Sequence, residues 1–238
     1  MKQKTALVIS AHSADFVWRA GGAIALYAKR GWNVHVLCLS FGERGESAKL
    51  WKRQNMTLEG VKQARRQESE HAAGILGASV SFLDCGDYPL RVDDQALFKI
   101  VDLYRGLDPG FVLTHSFKDP YNFDHPLANR LALEARIIAQ AHGHNPQQEV
   151  IGAPPVFLFE PHQSEQCDWK PQLFLDISSV WEAKHRAFQS MQAQEHLWEY
   201  YTRVGLQRGA QASRNSGRKI DYAEAFQCVY PRVADDLL

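Results

Sequence analysis

The sequence predicts an α/β fold, a Rossmann-like doubly wound, mostly parallel sheet with helices on both faces in a single domain, and three observations predict it. Short apolar runs that read as strands alternate with longer amphipathic stretches that read as helices. The runs are continuously apolar, as parallel strands covered on both faces are, rather than alternating with polar residues. Several of them end in polar clusters holding His, Asp or Glu, at the strand ends where open α/β sheets bind ligands.

The elements follow in order. Residues 6–10 and 34–40 are buried strands around a helix at 16–30, which Gly31 closes, giving one βαβ unit. Residues 41–56 form a polar loop holding G-E-R-G-E-S. A helix at 57–77 starts from Thr57 as N-cap, with Gly60 a weak point. A third strand at 80–83 leads into D-C-G-D-Y-P-L-R, a loop by its Gly86 and Pro89. A helix at 94–107 stops near Pro109, a fourth strand spans 111–114, and the connection 115–126 enters a helix at 127–141. Residues 156–160 and 173–177 are the fifth and sixth strands, and 180–194 is an amphipathic helix continuing through 198–201. The segment 205–217, rich in Gly, Ser and Arg, reads as a loop within a tail (205–238) that would order on a neighbouring subunit of a homo-oligomer. Strand order 3-2-1-4-5 puts the switch point between the first and fourth strands.

Composition removes several function classes. The 238 residues suit one sizeable domain spanning 1–238, and 27 Lys plus Arg balance 27 Asp plus Glu, so no global field favours nucleic acid or an anionic membrane. Anion recognition has to be local. The four cysteines, Cys38, Cys85, Cys167 and Cys228, are scattered, as free thiols of a reducing compartment are. With no signal peptide and no spanning apolar run, the expectation is a cytoplasmic protein.

The loop after the first strand carries His12 and Asp15, three residues apart at a strand's carboxyl end, where an imidazole and a carboxylate can meet at one atom. Taken alone, the pair is equally an ordinary loop histidine and a helix-capping aspartate. The same holds elsewhere: N-F-D-H at 122–125 can be a turn in which Asp124 caps a helix, and Arg65 can pair with Glu68 on a solvated face. Glu43 and Glu46 can be plain loop residues.

The run A-H-S-A-D-F-V-W-R-A-G-G resembles the opening motif of the PIG-L (LmbE-like) family, zinc-dependent N-deacetylases of amino sugars, whose usual form is A-H-P-D-D-E. The resemblance extends over nearly the whole chain, with its decisive motifs between Ala11 and His162. It implies one zinc ion per chain held by His12, Asp15 and His125. It also puts Arg65, in R-R-Q-E-S-E-H-A-A-G-I-L-G, at the family's active-site arginine. Two departures matter: Ala14 stands where the deacetylases carry their general base, and Asn122 where they carry an oxyanion-stabilising histidine. The ligands stay while the amide chemistry goes. With G-E-R-G-E-S and D-P-Y-N-F-D-H-P, the chain is similar to the branch that hydrates 4-oxalomesaconate.

Hydration of a conjugated double bond needs one group to activate water and another to protonate carbon. Glu46 as base and His162 as acid are the candidates, with Asp124 orienting a ligand or histidine. For a small tricarboxylic substrate, Arg65 ranks first among the cations and Arg44 follows, with Arg19 and Lys49 on the same segments; Asn122 and Glu43 complete the expected substrate contacts. An N-deacetylase with a replacement base, and a metal-binding regulatory protein with a retired active site, are the competing readings.

Overall fold

In the computed structural model, which describes residues 3–231 and Val233, β1 (Thr5–Ser10) crosses the centre of the molecule with all its residues buried. Its side chains divide with the strand period of two. Ala6 and Val8 enter one core layer, Leu7 and Ile9 the other. This two-faced burial is why the run is apolar throughout. α1 (Asp15–Lys29) returns over the first layer, Gly31 turns the chain at φ +80°, and β2 (Asn33–Cys38) pairs parallel to β1. A short α2 (Ala48–Trp51) interrupts the expected 41–56 loop. α3 (Leu58–Leu76) is capped by Thr57, whose side chain accepts the Gly60 N–H, and β3 (Ser79–Phe82) follows. α4 (Asp94–Leu107), capped by Asp93, leads to β4 (Phe111–Thr114), α5 (Asp124–Ala139) and β5 (Val156–Phe159). β6 (Leu173–Asp176), α6 (Trp181–Ser190), α7 (Trp198–Ser216) and β7 (Ala223–Cys228) complete the order.

The seven strands run β3-β2-β1-β4-β5-β7-β6. Five are parallel in the expected order, and the switch point lies between β1 and β4. Helices α1, α3, α6 and α7 pack on one face, α4 and α5 on the other.

Four expectations are corrected. α5 begins at Asp124, with Pro126 in the first turn where proline is tolerated, so His125 is helical rather than in the loop. The helix expected at 180–201 breaks at Met191 (φ −85°, ψ 63°) into α6 and a 3-10 stretch, Gln192–Leu197, before α7 starts. Most of 205–217 is the second half of α7, packed on β7 of the same chain. Its glycines serve close approach: a Cβ on Gly209 would lie 2.3 Å from the Asp221 carbonyl oxygen. Residues 232 and 234–238 of the expected tail lie outside the described residues. Finally, β7 enters the sheet antiparallel between β5 and β6. Its second residue, Glu224, hides it in the sequence. In the fold that carboxylate accepts the Gly22 and Ala23 N–H groups of α1 at 2.6 and 2.7 Å and pairs with Lys184. A Cβ on Gly22 would fall 2.9 Å from Glu224 Oε1, so glycine is what admits the contact.

Candidate metal centre and its cleft

The turn from β1 to α1 is held tightly by its own polar groups. Ser10 Oγ donates to the His12 carbonyl at 2.7 Å, and the His12 N–H donates to Asp15 Oδ2 at 3.0 Å. His12 Nε2 faces Asp124 Oδ2 at 3.1 Å, and Asp124 also accepts the Tyr88 and Leu90 N–H groups. A carboxylate at Nε2 draws the ring proton there and leaves a lone pair on Nδ1. That Nδ1 lies 3.1 Å from both Asp15 Oδ2 and Glu46 Oε1. His125 repeats the arrangement: Asp119 Oδ2 takes Nδ1 at 2.7 Å, while buried Nε2 has no hydrogen-bond partner and lies 3.5 Å from Asp15 Oδ1.

Two ring nitrogens and two carboxylates thus converge on one point, which a shared proton or a cation must bridge. The ligand atoms of His12, Asp15, Glu46 and His125 all lie within 4.8 Å of one another. Such a group repels itself unless positive charge sits at its centre. Protonation responds accordingly. Burial opposes charge on His12, but Glu46, Asp124 and Asp15 outweigh it and lift its pKa well above the usual value. Burial likewise opposes ionised Asp15, and His125, His115 and His12 hold its pKa well below the carboxylate range. The donor set fits a divalent ion with mixed nitrogen and oxygen ligands. Asp119 and Asp124 stand behind the histidines and fix their rings.

A cleft of about 200 Å³ opens over this group, with Arg19, Glu46, Asn122 and His162 in its walls. Glu46 arrives on the loop after β2, where a Cβ on Gly45 would lie 2.2 Å from the Tyr88 ring. Asn122 Nδ2 reaches Glu46 Oε1 at 3.4 Å. His162 comes from the loop after β5, stacked on Tyr200 (4.2 Å, 27°), with Nδ1 3.4 Å from the Tyr201 hydroxyl. Tyr200 also donates to the His162 carbonyl, and Arg208 grips Glu160 two residues earlier. All three anchors belong to α7. Burial first, then the Arg19 charge, pushes the His162 pKa down.

Three expected substrate contacts lie off the cleft. Arg65 is fully buried and commits Nε to the Phe41 carbonyl, Nη1 to Glu68 and Nη2 to Gln194. Arg44 is half-exposed over Glu43 and Asp87. Glu43 accepts the Phe41 N–H inside its own turn, and burial, reinforced by Asp87, raises its pKa. Asp124 reaches the centre only through His12. Sequence reasoning overlooked Asp119 and His115; the latter stacks on His125 at 4.2 Å and accepts the Ala11 N–H at Nε2. Asp119 stands six residues before His125, inside D-P-Y-N-F-D-H-P.

The model of the PIG-L family, GlcNAc-PI de-N-acetylase, matches residues 7–136, which hold His12, Asp15, Glu46 and His125. The chain belongs to the PIG-L family. It is 64% identical to the 4-oxalmesaconate hydratase of Pseudomonas putida, over 99% of this chain and 93% of that one. The crystal structure of GalB, the 4-carboxy-2-hydroxymuconate hydratase of Pseudomonas putida, superposes with a TM-score of 0.97 at 64% identity, covering 99% of this chain and all of that one. The diacetylchitobiose deacetylase of Thermococcus kodakarensis is 30% identical over 95% of this chain and 83% of its own. Against the deacetylase pattern of the PIG-L family, Ala14 is buried beside Asp15 with nothing to accept a proton, and Asn122 lines the cleft.

Proposed function

We propose that this protein is a metal-dependent hydratase that adds water to 4-oxalomesaconate, giving 4-carboxy-4-hydroxy-2-oxoadipate in the breakdown of gallate and related aromatic compounds. The observation that carries this reading is the 64% identity with a 4-oxalmesaconate hydratase over 99% of this chain and 93% of that one. The second hydratase name fits the same substrate, since 4-carboxy-2-hydroxymuconate is the enol tautomer of 4-oxalomesaconate.

Zinc, one ion per chain held by His12, Asp15 and His125 with Glu46 at its edge, would supply Lewis acidity toward a substrate oxygen. Glu46 takes a proton from water, whose oxygen bonds to the substituted alkene carbon. The π electrons move to the neighbouring carbon, and His162 delivers a proton there. A water O–H, the alkene π bond and an N–H of protonated His162 break while C–O, C–H and a Glu46 O–H form, and return of the proton from Glu46 to His162 through solvent leaves one water added. Asp119 and Asp124 keep the two histidine rings turned toward the centre. Its four free cysteines, as in proteins of a reducing compartment, support a cytoplasmic location.

Purified protein given 4-oxalomesaconate should bleach the conjugated chromophore and release a stoichiometric hydroxy acid. No turnover with metal loaded would end the reading. The 30% identity to a deacetylase keeps one rival in view. Because Ala14 cannot serve as a base, no acetate release from N-acetyl amino sugars is expected, and release at enzymatic rates would transfer the assignment to that rival.

A further inference from the structure

Arg19 lies one helical turn beyond Asp15 on α1, in the wall of the cleft, and is only 8% exposed. Its donors are largely uncommitted. Nη1 reaches the Glu160 carbonyl at 3.3 Å, and buried Nε, without hydrogen-bond geometry, is ion-paired to Asp15 Oδ1 at 3.4 Å, which leaves the outer face of the fork open. A guanidinium carries five N–H donors in a planar fork that meets a carboxylate through two parallel bonds, and leaving them buried and unpaired is costly. No other lysine or arginine is among the described residues lining the cleft, which otherwise presents Asp15, Glu46 and Asp119. A trianionic substrate entering such a cleft needs a cation beyond the metal centre, and Arg19 is the one in place.

We infer that Arg19 is the carboxylate anchor of the cleft, gripping in two parallel hydrogen bonds the substrate carboxylate attached to the carbon that His162 protonates. This rests on the hydratase reading. It assigns to Arg19 more than binding. As water oxygen bonds to one alkene carbon, the displaced electron pair spreads from the other carbon onto its carboxylate, which gains negative charge until the proton arrives. A cation fixed at that carboxylate holds the transition state more tightly than the substrate and thereby raises kcat. After burial, Arg19 is also among the charges that lower the His162 pKa. A carboxylate seated on the guanidinium offsets that charge when the proton is required.

The test separates anchor from scaffold by pairing turnover with binding of two unreactive acids, tricarballylate and glutarate, with three and two carboxylates. Wild-type protein and Arg19→Gln, both loaded with metal, are compared by calorimetry. Arg19→Gln should keep its metal, lose about 10²-fold or more in kcat/KM with most of the loss in kcat, and bind tricarballylate at least about tenfold more weakly. Its preference for tricarballylate over glutarate should shrink, which a merely structural arginine would not cause. Unchanged tricarballylate affinity, or an unchanged preference between the acids, would overturn the anchor. Should Arg19→Gln fail to fold, Arg19→Lys carries the test: it keeps charge without the fork, and wild-type affinity for tricarballylate would refute the proposal. If wild-type protein binds tricarballylate through Arg19 yet does not hydrate 4-oxalomesaconate, the hydratase reading fails and the anion site stands.

Discussion

Arg65 and Arg19 are both buried arginines near the metal centre, and they differ in how their donors are used. Arg65 is saturated: its three kinds of guanidinium nitrogen each meet an acceptor on a different element, tying α3 to the loop after β2 and to the 3-10 stretch before α7. Arg19 keeps most of its fork unspent and lies in the cleft wall. Burial alone would rank them alike. Donor accounting separates a side chain that has finished its work in folding from one that still awaits a ligand.

The largest effects should fall on the cleft side of this comparison. Glu46→Gln removes the proposed base and should cost about 10²–10⁴-fold in kcat, read against a melting temperature within a few degrees of wild type. A variant near wild-type turnover would take Glu46 out of the proton traffic and bring the proton-accepting role back to open question. At the centre itself, His12→Ala should strip the bound metal, and elemental analysis showing equal content in both proteins would refute the ligand assignment.

On the saturated side, Arg65→Met should act through stability. Glu68 would be left without its buried cation and Gln194 without its donor, costing about 3–5 kcal/mol in urea unfolding. Turnover per folded molecule should change less than threefold, and a selective loss of kcat at unchanged stability would erase the distinction between the two arginines. A smaller effect is expected from Arg208→Met, which frees Glu160 and loosens the loop carrying His162: about a tenfold fall in kcat, with bound metal unchanged.

The smallest effect concerns another spent side chain. His35 bonds Ser79 Oγ and Ser81 Oγ at 2.8 Å each, and burial lowers its pKa from 6.5. Its unfolded form therefore binds the proton more readily. The stability it contributes is present above pH 6.5 and drains as pH falls through that value toward the folded pKa. Melting temperatures of His35→Gln should decline less between pH 7 and pH 5 than those of wild type, and parallel declines would count against it.

Much of the parallel half was legible because it obeys local rules. The apolar run of β1, the His12–Asp15 turn and the capped helix α3 are each written within about twenty residues. His12, Asp15 and His125 were marked by the family resemblance, and the sheet order brings the strand end and helix start that carry them into one group. What stayed hidden depends on partners far along the chain. Arg65 looks available until Gln194 meets it from 129 residues away. Glu46 read as a base, and only the folded loop brings it into the ligand group as well. The Gly, Ser and Arg content of 205–217 reads as a loop, whereas in α7 Gly205 and Gly209 make room for Trp181 and for the Asp221 backbone. β7 was concealed by a glutamate whose neutralising lysine lies forty residues earlier.

The place of β7 has a consequence for how the molecule is made. β6 leaves the ribosome well before β7, yet β7 is its only strand neighbour among the described residues. Until that last strand is synthesised, β6 has nothing to pair with and β5 offers a bare edge, the kind of surface on which nascent chains adhere to one another. Insertion of β7 closes both gaps at once and delivers Glu224 to the helix that carries Asp15 and Arg19. Stalling translation between β6 and β7 should therefore yield a chain that chaperones retain, with a protease-sensitive C-terminal third and an unfinished metal site, however well the first four strands have already folded.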